Sequence, residues 1–219
     1  MEKIKDINSI KLINSKTLIE VESKQFNKET TSGIIVGDQN YNKDVHAIRY
    51  GVLICMPVKM NYKTWKTDYY PEINSEVWFD FTATLDATYV ENDGKIYLVL
   101  PYESLIVARS SNKGIRCLNG YLLAHKVLQY AKGDIVKGVE MTSDKYYDDI
   151  YMIKYAGKPN LSYTDERYVD DKSITEGMRV MTRASNYPIL EEKIHWKFNN
   201  ETYYYFQRRD VVGKVEELL

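Results

Sequence analysis

A short apolar pattern occurs twice in the chain, first as Tyr50-Gly-Val-Leu-Ile-Cys-Met-Pro57 and again as Asp149-Ile-Tyr-Met-Ile-Lys-Tyr-Ala-Gly157. Two more pairs of segments repeat in the same order: Ile73–Phe81 with Ile174–Met181, and Gly94–Ala108 with Glu201–Val215. The copies lie about 100 residues apart throughout, and an internal period indicates a repeated structural unit. The sequence therefore predicts two small β domains of one kind, an arrangement typical of a binding or assembly protein rather than of one enzyme core.

The composition is that of a soluble globular protein with almost balanced charge. The 219 residues carry 30 Lys and Arg against 31 Asp and Glu, a formal net charge of −1. That balance argues against a dedicated nucleic-acid binder, which usually has a basic excess. No apolar stretch approaches the length of a membrane span, and no apolar run follows the N-terminal charges as in a secretory signal. We therefore expect a cytoplasmic protein that binds neither membranes nor a specific nucleic acid.

Most apolar runs are short, β-branched or aromatic and bounded by turn residues, as in strands. Glu91-Asn-Asp-Gly94 predicts a tight hairpin turn, since Asn, Asp and Gly tolerate positive φ. Small polar residues and a glycine in Ser110-Ser-Asn-Lys-Gly114 predict a domain boundary. The sequence thus predicts an all-β fold of two tandem small barrels or sandwiches, covering residues 1–112 and 113–219.

The sequence contains no evident catalytic constellation. His46, His125 and His195 are far apart along the chain, and Cys55 and Cys117 lack the spacing of zinc ligands. A Gly-rich phosphate loop and a nucleophile elbow are both absent from the sequence. We therefore expect no enzymatic activity, no cofactor and no metal site.

The aromatic run Tyr203-Tyr-Tyr205 has two interpretations. Such rings could stack on nucleic-acid bases, as in single-strand binders. In a strand whose side chains alternate between faces, however, a run like this more often lies half in the core and half on the surface.

One apolar triplet stands in a polar, aperiodic stretch. Ile34-Ile-Val36 is held between Gly33 and Gly37. It could be a short edge strand on its own domain, or an exposed anchor that docks in a partner's groove. An anchor gains on the order of 1.5–3 kcal/mol per buried aliphatic side chain. The ordering entropy of the loop that carries it keeps such a contact reversible.

A series of short motifs stands in fixed order in the first half: Thr17–Glu22, Thr31–Val36, Arg49–Met56, Ile73–Phe79 and Tyr97–Ala108. In order and spacing, apart from extra residues at Met60–Pro71, they resemble the GroES family of co-chaperonins over residues 10 to 110. The second half resembles the same family more weakly, through Tyr151–Gly157, Ile174–Met181 and Gln207–Val215. Together the two halves resemble a tandem, two-domain form of that family.

The resemblance implies two GroES-like β-barrels in a subunit that assembles into a ring. Such a ring caps a GroEL-like chaperonin and assists protein folding, with no chemistry of its own. Carried over by position, the mobile loop covers residues 23–40. Its chaperonin-binding anchor is then Gly33, Ile34, Ile35 and Val36.

The corresponding loop end in the second half departs from this pattern. The nearest match is Lys137-Gly-Val-Glu-Met-Thr142, in which Glu140 separates Val139 from Met141. Val139 and Met141 are the candidate second anchor. With the triplet interrupted, we expect the first copy to grip the chaperonin and the second mainly to build the ring.

Some bacteriophages also encode co-chaperonins. The chain is rich in Tyr, Asn, Lys and Ile, whose codons are AT-rich, and this composition suits an AT-rich genome such as that of a phage of a low-GC bacterium. The alternative hypothesis is a non-enzymatic structural component of a phage virion, for example a neck, ring or capsid-associated protein that uses the same barrel, because fold does not fix function. The aromatic insert Asn61-Tyr-Lys-Thr-Trp65 and the long loops of the second half suit a protein whose loops pack on other virion proteins.

Overall fold

The computed structural model describes residues 7, 10–21, 50–60, 70–84, 87–159, 173–183 and 203–216. Over these residues the chain is built of antiparallel strands joined by turns and single 3-10 turns, with no α-helix. The predicted β class is confirmed. The chain divides into two compact units, Met1–Ile115 and Arg116–Leu219.

The first repeat forms most of a seven-stranded sheet with the order β4-β5-β1-β2-β3-β6-β7. Its strands are β1 (Lys16–Val21), β2 (Tyr50–Cys55), β3 (Glu76–Phe79), β4 (Thr88–Asn92), β5 (Lys95–Pro101), β6 (Leu105–Ser110) and β7 (Gly114–Cys117). The predicted hairpin is confirmed: Asn92 lies opposite Lys95, and the two turn residues Asp93 and Gly94 both have positive φ.

The second repeat forms a five-stranded sheet with the order β13-β8-β11-β12-β14, and a separate two-stranded hairpin, β10-β9. Its strands are β8 (Tyr121–Tyr130), β9 (Ile135–Val136), β10 (Val139–Glu140), β11 (Lys145–Ala156), β12 (Arg179–Thr182), β13 (Tyr204–Gln207) and β14 (Val211–Lys214).

The five central strands of the two repeats have the same order. The first repeat has the order β5-β1-β2-β3-β6, and the second has β13-β8-β11-β12-β14. When these five strands are numbered along the chain within each repeat, both orders read fourth, first, second, third, fifth. The register also agrees: Ile19 of β1 lies opposite Leu53 of β2, as Ala124 of β8 lies opposite Ile153 of β11. The doubled sequence pattern therefore corresponds to a doubled strand topology.

The irregularities of the ladders repeat as well. The register shifts between Trp78 and Phe79, where β3 pairs with β6, and between Met181 and Thr182, where β12 pairs with β14. A bulge bends its strand and changes the face that the following side chains occupy. Its recurrence at one place in both repeats supports a residue-by-residue correspondence.

The turn before the first strand is also shared. Asn14 and Ser15 have φ of 53° and 57°, and Asn119 and Gly120 have φ of 49° and 70°. Asn and Gly tolerate this left-handed region best. The segments Ile10-Lys-Leu-Ile-Asn-Ser15 and Ile115-Arg-Cys-Leu-Asn-Gly120, which we call the lead-in segments, therefore correspond in sequence and in backbone geometry.

The expected closed barrels are not observed. Over the described residues both large sheets are open, with β4 and β7 at the edges of one and β13 and β14 at the edges of the other. Closure would need hydrogen bonds between the two edge strands of a sheet, and none of the described strands makes them. What the structure shows is a pair of open antiparallel sheets with a common strand order.

Each repeat has its own apolar core. In the second, the inward side chains are almost fully buried: Leu122, Ala124, Tyr151, Ile153, Ile174, Val180 and Phe206. In the first, the buried side chains of one face include Ile19, Leu53, Val77, Phe79, Leu98 and Leu100, whereas Leu18 packs with Leu12 and Tyr97 in a separate cluster. Alternation of inward and outward side chains along each strand places the core residues of each sheet on one face.

The predicted boundary Ser110–Gly114 is not a free linker. Residues 111–113 form a turn that joins β6 to β7, and the Lys113 N–H donates to the Ser110 hydroxyl oxygen at 3.0 Å. The division between the compact units falls between Ile115 and Arg116, inside β7.

Candidate partner-binding hairpin

The predicted chaperonin-binding residues Gly33, Ile34, Ile35 and Val36 lie outside the described residues, as does the whole of 23–40. The strands on either side of that segment are described. β1 and β2 pair next to it, with Glu20 opposite Val52. Residues 22–49 therefore connect two neighbouring strands of the sheet.

A glycine lets these two strands meet. A Cβ placed on Gly51 would lie 2.3 Å from the Glu20 carbonyl oxygen and 2.6 Å from Cγ2 of Ile19. Distances this short are sterically forbidden, so the close approach of β2 to β1 requires glycine at this position. The described strands β1 and β2, which flank residues 22–49, are thus held together by a tight backbone contact.

In the second repeat the equivalent excursion, between β8 and β11, is ordered β structure. The two strands continue outward as a ribbon, with Lys145 opposite Tyr130. Beyond the ribbon lies the β9–β10 hairpin, in which Val139 pairs with Val136. Its turn residue Lys137 has φ of 49° and the next residue, Gly138, has φ of 81°. Positive φ at both turn residues is the geometry of the commonest two-residue hairpin turn.

Backbone hydrogen bonds fix the base of this hairpin. The Met141 N–H donates to the Asp134 carbonyl oxygen and the Gly133 N–H donates to the Met141 carbonyl oxygen, both at 2.8 Å. Two carboxylates complete the network at 2.8 Å: Asp134 accepts from the Ala131 N–H, and Asp144 accepts from the Lys132 N–H. With its amides bonded internally, the hairpin is preorganised, so less conformational entropy is lost when a partner binds.

The hairpin exposes an apolar surface on one of its faces. Val139 is 65% exposed, and Met141, two residues on, is partly buried. Alternate residues of a strand share a face, so Val139, its partner Val136 and Met141 lie together, while Glu140 points to the opposite face. Glu140 interrupts the apolar pattern in sequence but not on this surface, which we call the Val139 face.

Apolar side chains are exposed elsewhere on the same ribbon. Ile135, on the other face of the hairpin, is 76% exposed, and Leu128 and Tyr146 are 43% and 44% exposed. Leu128 and Tyr146 are cross-strand neighbours. The candidate second anchor, Val139 and Met141, stays a prediction. The hairpin and the ribbon were not predicted from the sequence, although a glycine such as Gly138 between short apolar runs is a turn signal.

The aromatic run of the last strands packs within the second repeat. Tyr203 is buried at 1% exposure, and its ring lies 4.6 Å from that of His125. Tyr204 lies 5.6 Å from Tyr151, and Tyr205 lies 6.0 Å from Tyr121, measured between ring centroids. Of the two interpretations of Tyr203-Tyr-Tyr205, the packing one agrees with the structure.

The last 3-10 turn contains a buried cation. Arg208 is 5% exposed; its Nε donates to the Gly157 carbonyl oxygen at 2.8 Å, and its Nη2 to the Ile174 carbonyl oxygen at 3.1 Å. The guanidinium thus ties the end of β11 to the segment before β12, a structural role.

The described residues contain no group of three or more His, Cys, Asp or Glu side chains arranged to hold a metal ion. Burial raises the pKa of the Cys117 thiol far above its ordinary value, which keeps that thiol protonated and unreactive. Nor does this part of the chain include a helix long and apolar enough to cross a membrane.

Comparison with known proteins gives no family. No protein-family model matches the chain, and no curated protein matches it.

Proposed function

We propose that this protein is a tandem, GroES-like co-chaperonin subunit, which self-associates into a ring, caps a GroEL-type chaperonin in the cytoplasm and assists protein folding without chemistry of its own. The observation that carries the proposal is the repeat itself. In both repeats a long excursion connects the first two strands. The resemblance implies that this excursion carries the apolar anchor.

The two excursions divide the work of binding. The first contains Ile34, Ile35 and Val36, the anchor that the resemblance implies. The second presents the Val139 face on a preorganised hairpin, because its backbone amides are already bonded. Burial of one aliphatic side chain contributes on the order of 1.5–3 kcal/mol, so the triplet makes the main contact and Val139 a smaller one. ATP hydrolysis belongs to the chaperonin.

Co-sedimentation with a GroEL-type chaperonin in the presence of nucleotide tests the proposal. Wild-type protein is expected to sediment with the chaperonin, and Ile35→Asp is expected to stay in the supernatant. Val139→Asp is expected to reduce the bound fraction less than Ile35→Asp does. Thr30→Asp, which adds the same charge in the same segment but outside the triplet, is the matched control and should bind like wild type.

Two results would overturn the proposal. One is a wild-type chain that never sediments with the chaperonin. The other is Ile35→Asp bound as tightly as wild type, which would remove the anchor from the triplet. Circular dichroism of each variant separates loss of binding from loss of folding.

The alternative, a structural component of a phage virion, is favoured by one observation. The second excursion is a rigid ribbon with apolar side chains exposed on both faces, including Ile135 at 76%, and surfaces of this kind suit permanent packing against neighbouring subunits. The two functions differ in where the protein is found. A virion component purifies with particles, whereas a co-chaperonin purifies as a soluble oligomer that binds a chaperonin.

A further inference from the structure

One face of the second sheet carries two methionines and a histidine on three neighbouring strands. Met152 of β11 lies directly opposite His125 of β8. Met181 of β12 lies opposite Ile150, two residues before Met152 along β11. No register shift interrupts either ladder at these pairs. Because paired residues share a face, and residues two apart in a strand do as well, all three side chains project from the same face of the sheet.

This face is the one turned away from the core. The strand neighbours of the three residues are core residues with almost no exposure: Ala124, Tyr151, Ile153 and Val180. Since side chains alternate between the faces of a sheet, His125, Met152 and Met181 point outward. Met152 is 43% exposed and Met181 is 37% exposed, and His125 is partly buried. The three side chains are thus accessible to an ion from solvent.

The spacing of the strands lets the three donors reach one ion. Residues directly opposite each other in an antiparallel pair have Cβ atoms about 4.5–5.5 Å apart, and diagonal neighbours lie about 7–8 Å apart. The first spacing applies to His125 and Met152, and the second to Met152 and Met181. A methionine side chain is unbranched and has three rotatable bonds, so its sulfur can turn towards either neighbour. A point above Met152 is therefore within reach of both sulfurs and of a ring nitrogen of His125.

Packing holds the imidazole in place. The ring of His125 lies 4.6 Å from that of Tyr203, measured between centroids, and Tyr203 is 1% exposed. Tyr203 directly precedes β13, which pairs with β8 on the side away from β11. His125 therefore lies between a buried aromatic ring on one side and Met152 on the other. A donor whose position is already restricted loses less entropy when it binds a ligand.

The chemistry of the donors determines which kind of ion fits. Zinc and calcium sites use His, Cys, Asp and Glu ligands, and the described residues contain no group of three of these. Two of the donors here are neutral, polarizable thioethers, and soft ligands of this type select copper(I). Arg179 lies opposite Met152 on the same face, and its repulsion of a bound cation grows with the charge of that cation. The face thus favours a soft monovalent ion over a divalent one.

The first repeat has the same backbone positions but a different set of side chains. The equivalents of His125, Met152 and Met181 are Glu20, Val52 and Trp78. The soft donors are therefore a property of the second repeat, and the shared strand arrangement does not require them.

We propose that His125, Met152 and Met181 form a binding site for copper(I). From the sequence we expected no metal site, because only strand pairing brings these donors together from positions far apart along the chain. The site goes beyond the proposed function and does not depend on it, since the Val139 face takes no part in it. A chain that binds copper(I) but ignores a chaperonin would overturn the proposed function alone.

Competition with bicinchoninate, a chromogenic chelator of copper(I), measures the affinity and the number of ions bound under anaerobic, reducing conditions. The parent protein is the full chain with Cys55→Ser, because thiolates also bind copper(I) and Cys55 is the partly exposed thiol, whereas Cys117 is buried. We expect one ion per chain. Met152→Leu, Met181→Leu and His125→Gln should each weaken copper(I) binding by at least on the order of tenfold, since even outer-shell partners of a metal contribute that much.

Methionine-to-leucine substitutions nearly conserve side-chain volume, so the variants should stay folded. Met141→Leu, which removes a sulfur of the same repeat from outside the site, is the matched control and should bind copper(I) like the parent. Silver(I) is a redox-inert probe of similar softness. In the parent it should shift the NMR signals of the Met152 and Met181 methyl groups and leave that of Met141 unchanged, whereas zinc(II) at the same concentration should shift none of the three.

The inference is overturned if the parent protein does not compete with the chelator, or if any one of the three site variants binds copper(I) like the parent. It is also overturned if silver(I) shifts the Met141 signal as much as those of Met152 and Met181, or if zinc(II) shifts the latter two as silver(I) does. The silver(I) titration needs no substitution within the site, so it gives an answer even where a variant unfolds.

Discussion

The two repeats share one strand arrangement but fill its core with different side chains. At one register position of the second central strand, opposite Val77 and Val180, the first repeat has Gly51 and the second has Tyr151. Tyr151 is buried at 2% exposure and packs on Phe206, whereas at Gly51 the neighbouring strand itself occupies the space. Backbone hydrogen bonds between the strands fix their order, whereas a core position tolerates different side chains as long as its volume is filled.

The 3-10 turns before β6 and β14 also carry different side chains at equivalent positions, one aromatic and the other charged. Tyr102 and Arg208 occupy equivalent positions, with N–H groups that donate to Ser15 and Gly120 respectively. Both side chains are buried, at 2% and 5% exposure. The ring of Tyr102 fills its site with apolar surface, whereas Arg208 needs the carbonyl oxygens of its surroundings.

Replacing Tyr102 by arginine, so that the first repeat also has a buried cation, is expected to have the largest effect on stability. Tyr102→Arg places a charge where the second repeat has its guanidinium, but in an environment shaped for an aromatic ring. Breaking the match between a buried charge and its acceptors costs about 3–5 kcal/mol. The measurement is the free energy of unfolding of the first repeat, followed by the fluorescence of Trp78, which lies in its core.

Tyr102→Phe is the matched control for this substitution. It keeps the ring and removes only the hydroxyl, so a loss of about 1 kcal/mol or less is expected. If Tyr102→Arg were as well tolerated as Tyr102→Phe, the two turns would be interchangeable and the contrast between the repeats would not hold.

A smaller but still clear effect is expected at the close approach of β2 to β1. Gly51→Ala adds a methyl group 2.3 Å from the Glu20 carbonyl oxygen, so the strands must separate at a cost of about 1–3 kcal/mol. Gly213→Ala, in β14, is the control, because no heavy atom lies within 4 Å of the added Cβ. Urea denaturation of both variants measures the difference, and equal midpoints would contradict the close approach.

Local signals in the sequence predicted the local structure well. The Asp93-Gly94 turn was predicted because both residue types tolerate positive φ, and it closes the β4–β5 hairpin. The repeat was also visible, because strands buried in equivalent cores need apolar residues at equivalent spacings.

Features set by long-range contacts were not predictable from these patterns. Whether a sheet closes depends on the pairing of its edge strands, which alternation does not encode, so barrels were expected where the described sheets are open. The burial of Arg208 depends on carbonyl oxygens at Gly157 and Ile174, distant in sequence. The clearest trace of the repeat, the two lead-in segments, was missed because they are too short to show a strand period.

The two thiols give the smallest expected effect, and they again separate the repeats. The Cys55 thiol, at the end of β2, donates to the Ile10 carbonyl oxygen at 3.6 Å and is partly exposed. The Cys117 thiol, in the lead-in segment of the second repeat, donates to the Tyr155 carbonyl oxygen at 3.5 Å and is buried. In the native protein a thiol reagent should modify Cys55 first and Cys117 on the order of a hundredfold more slowly.

The pH dependence of stability tests the burial of Cys117 independently. Burial raises the pKa of this thiol above its ordinary value of 9.0, so the fold favours the neutral form. The resulting stability is full below the ordinary pKa and is lost as the pH rises above it, because only the unfolded thiol ionises there. Between pH 7 and pH 10, Cys55→Ser should therefore lose about 1–2 kcal/mol more unfolding free energy than the double variant that also carries Cys117→Ala. Equal losses in the two proteins would place the Cys117 thiol in contact with water.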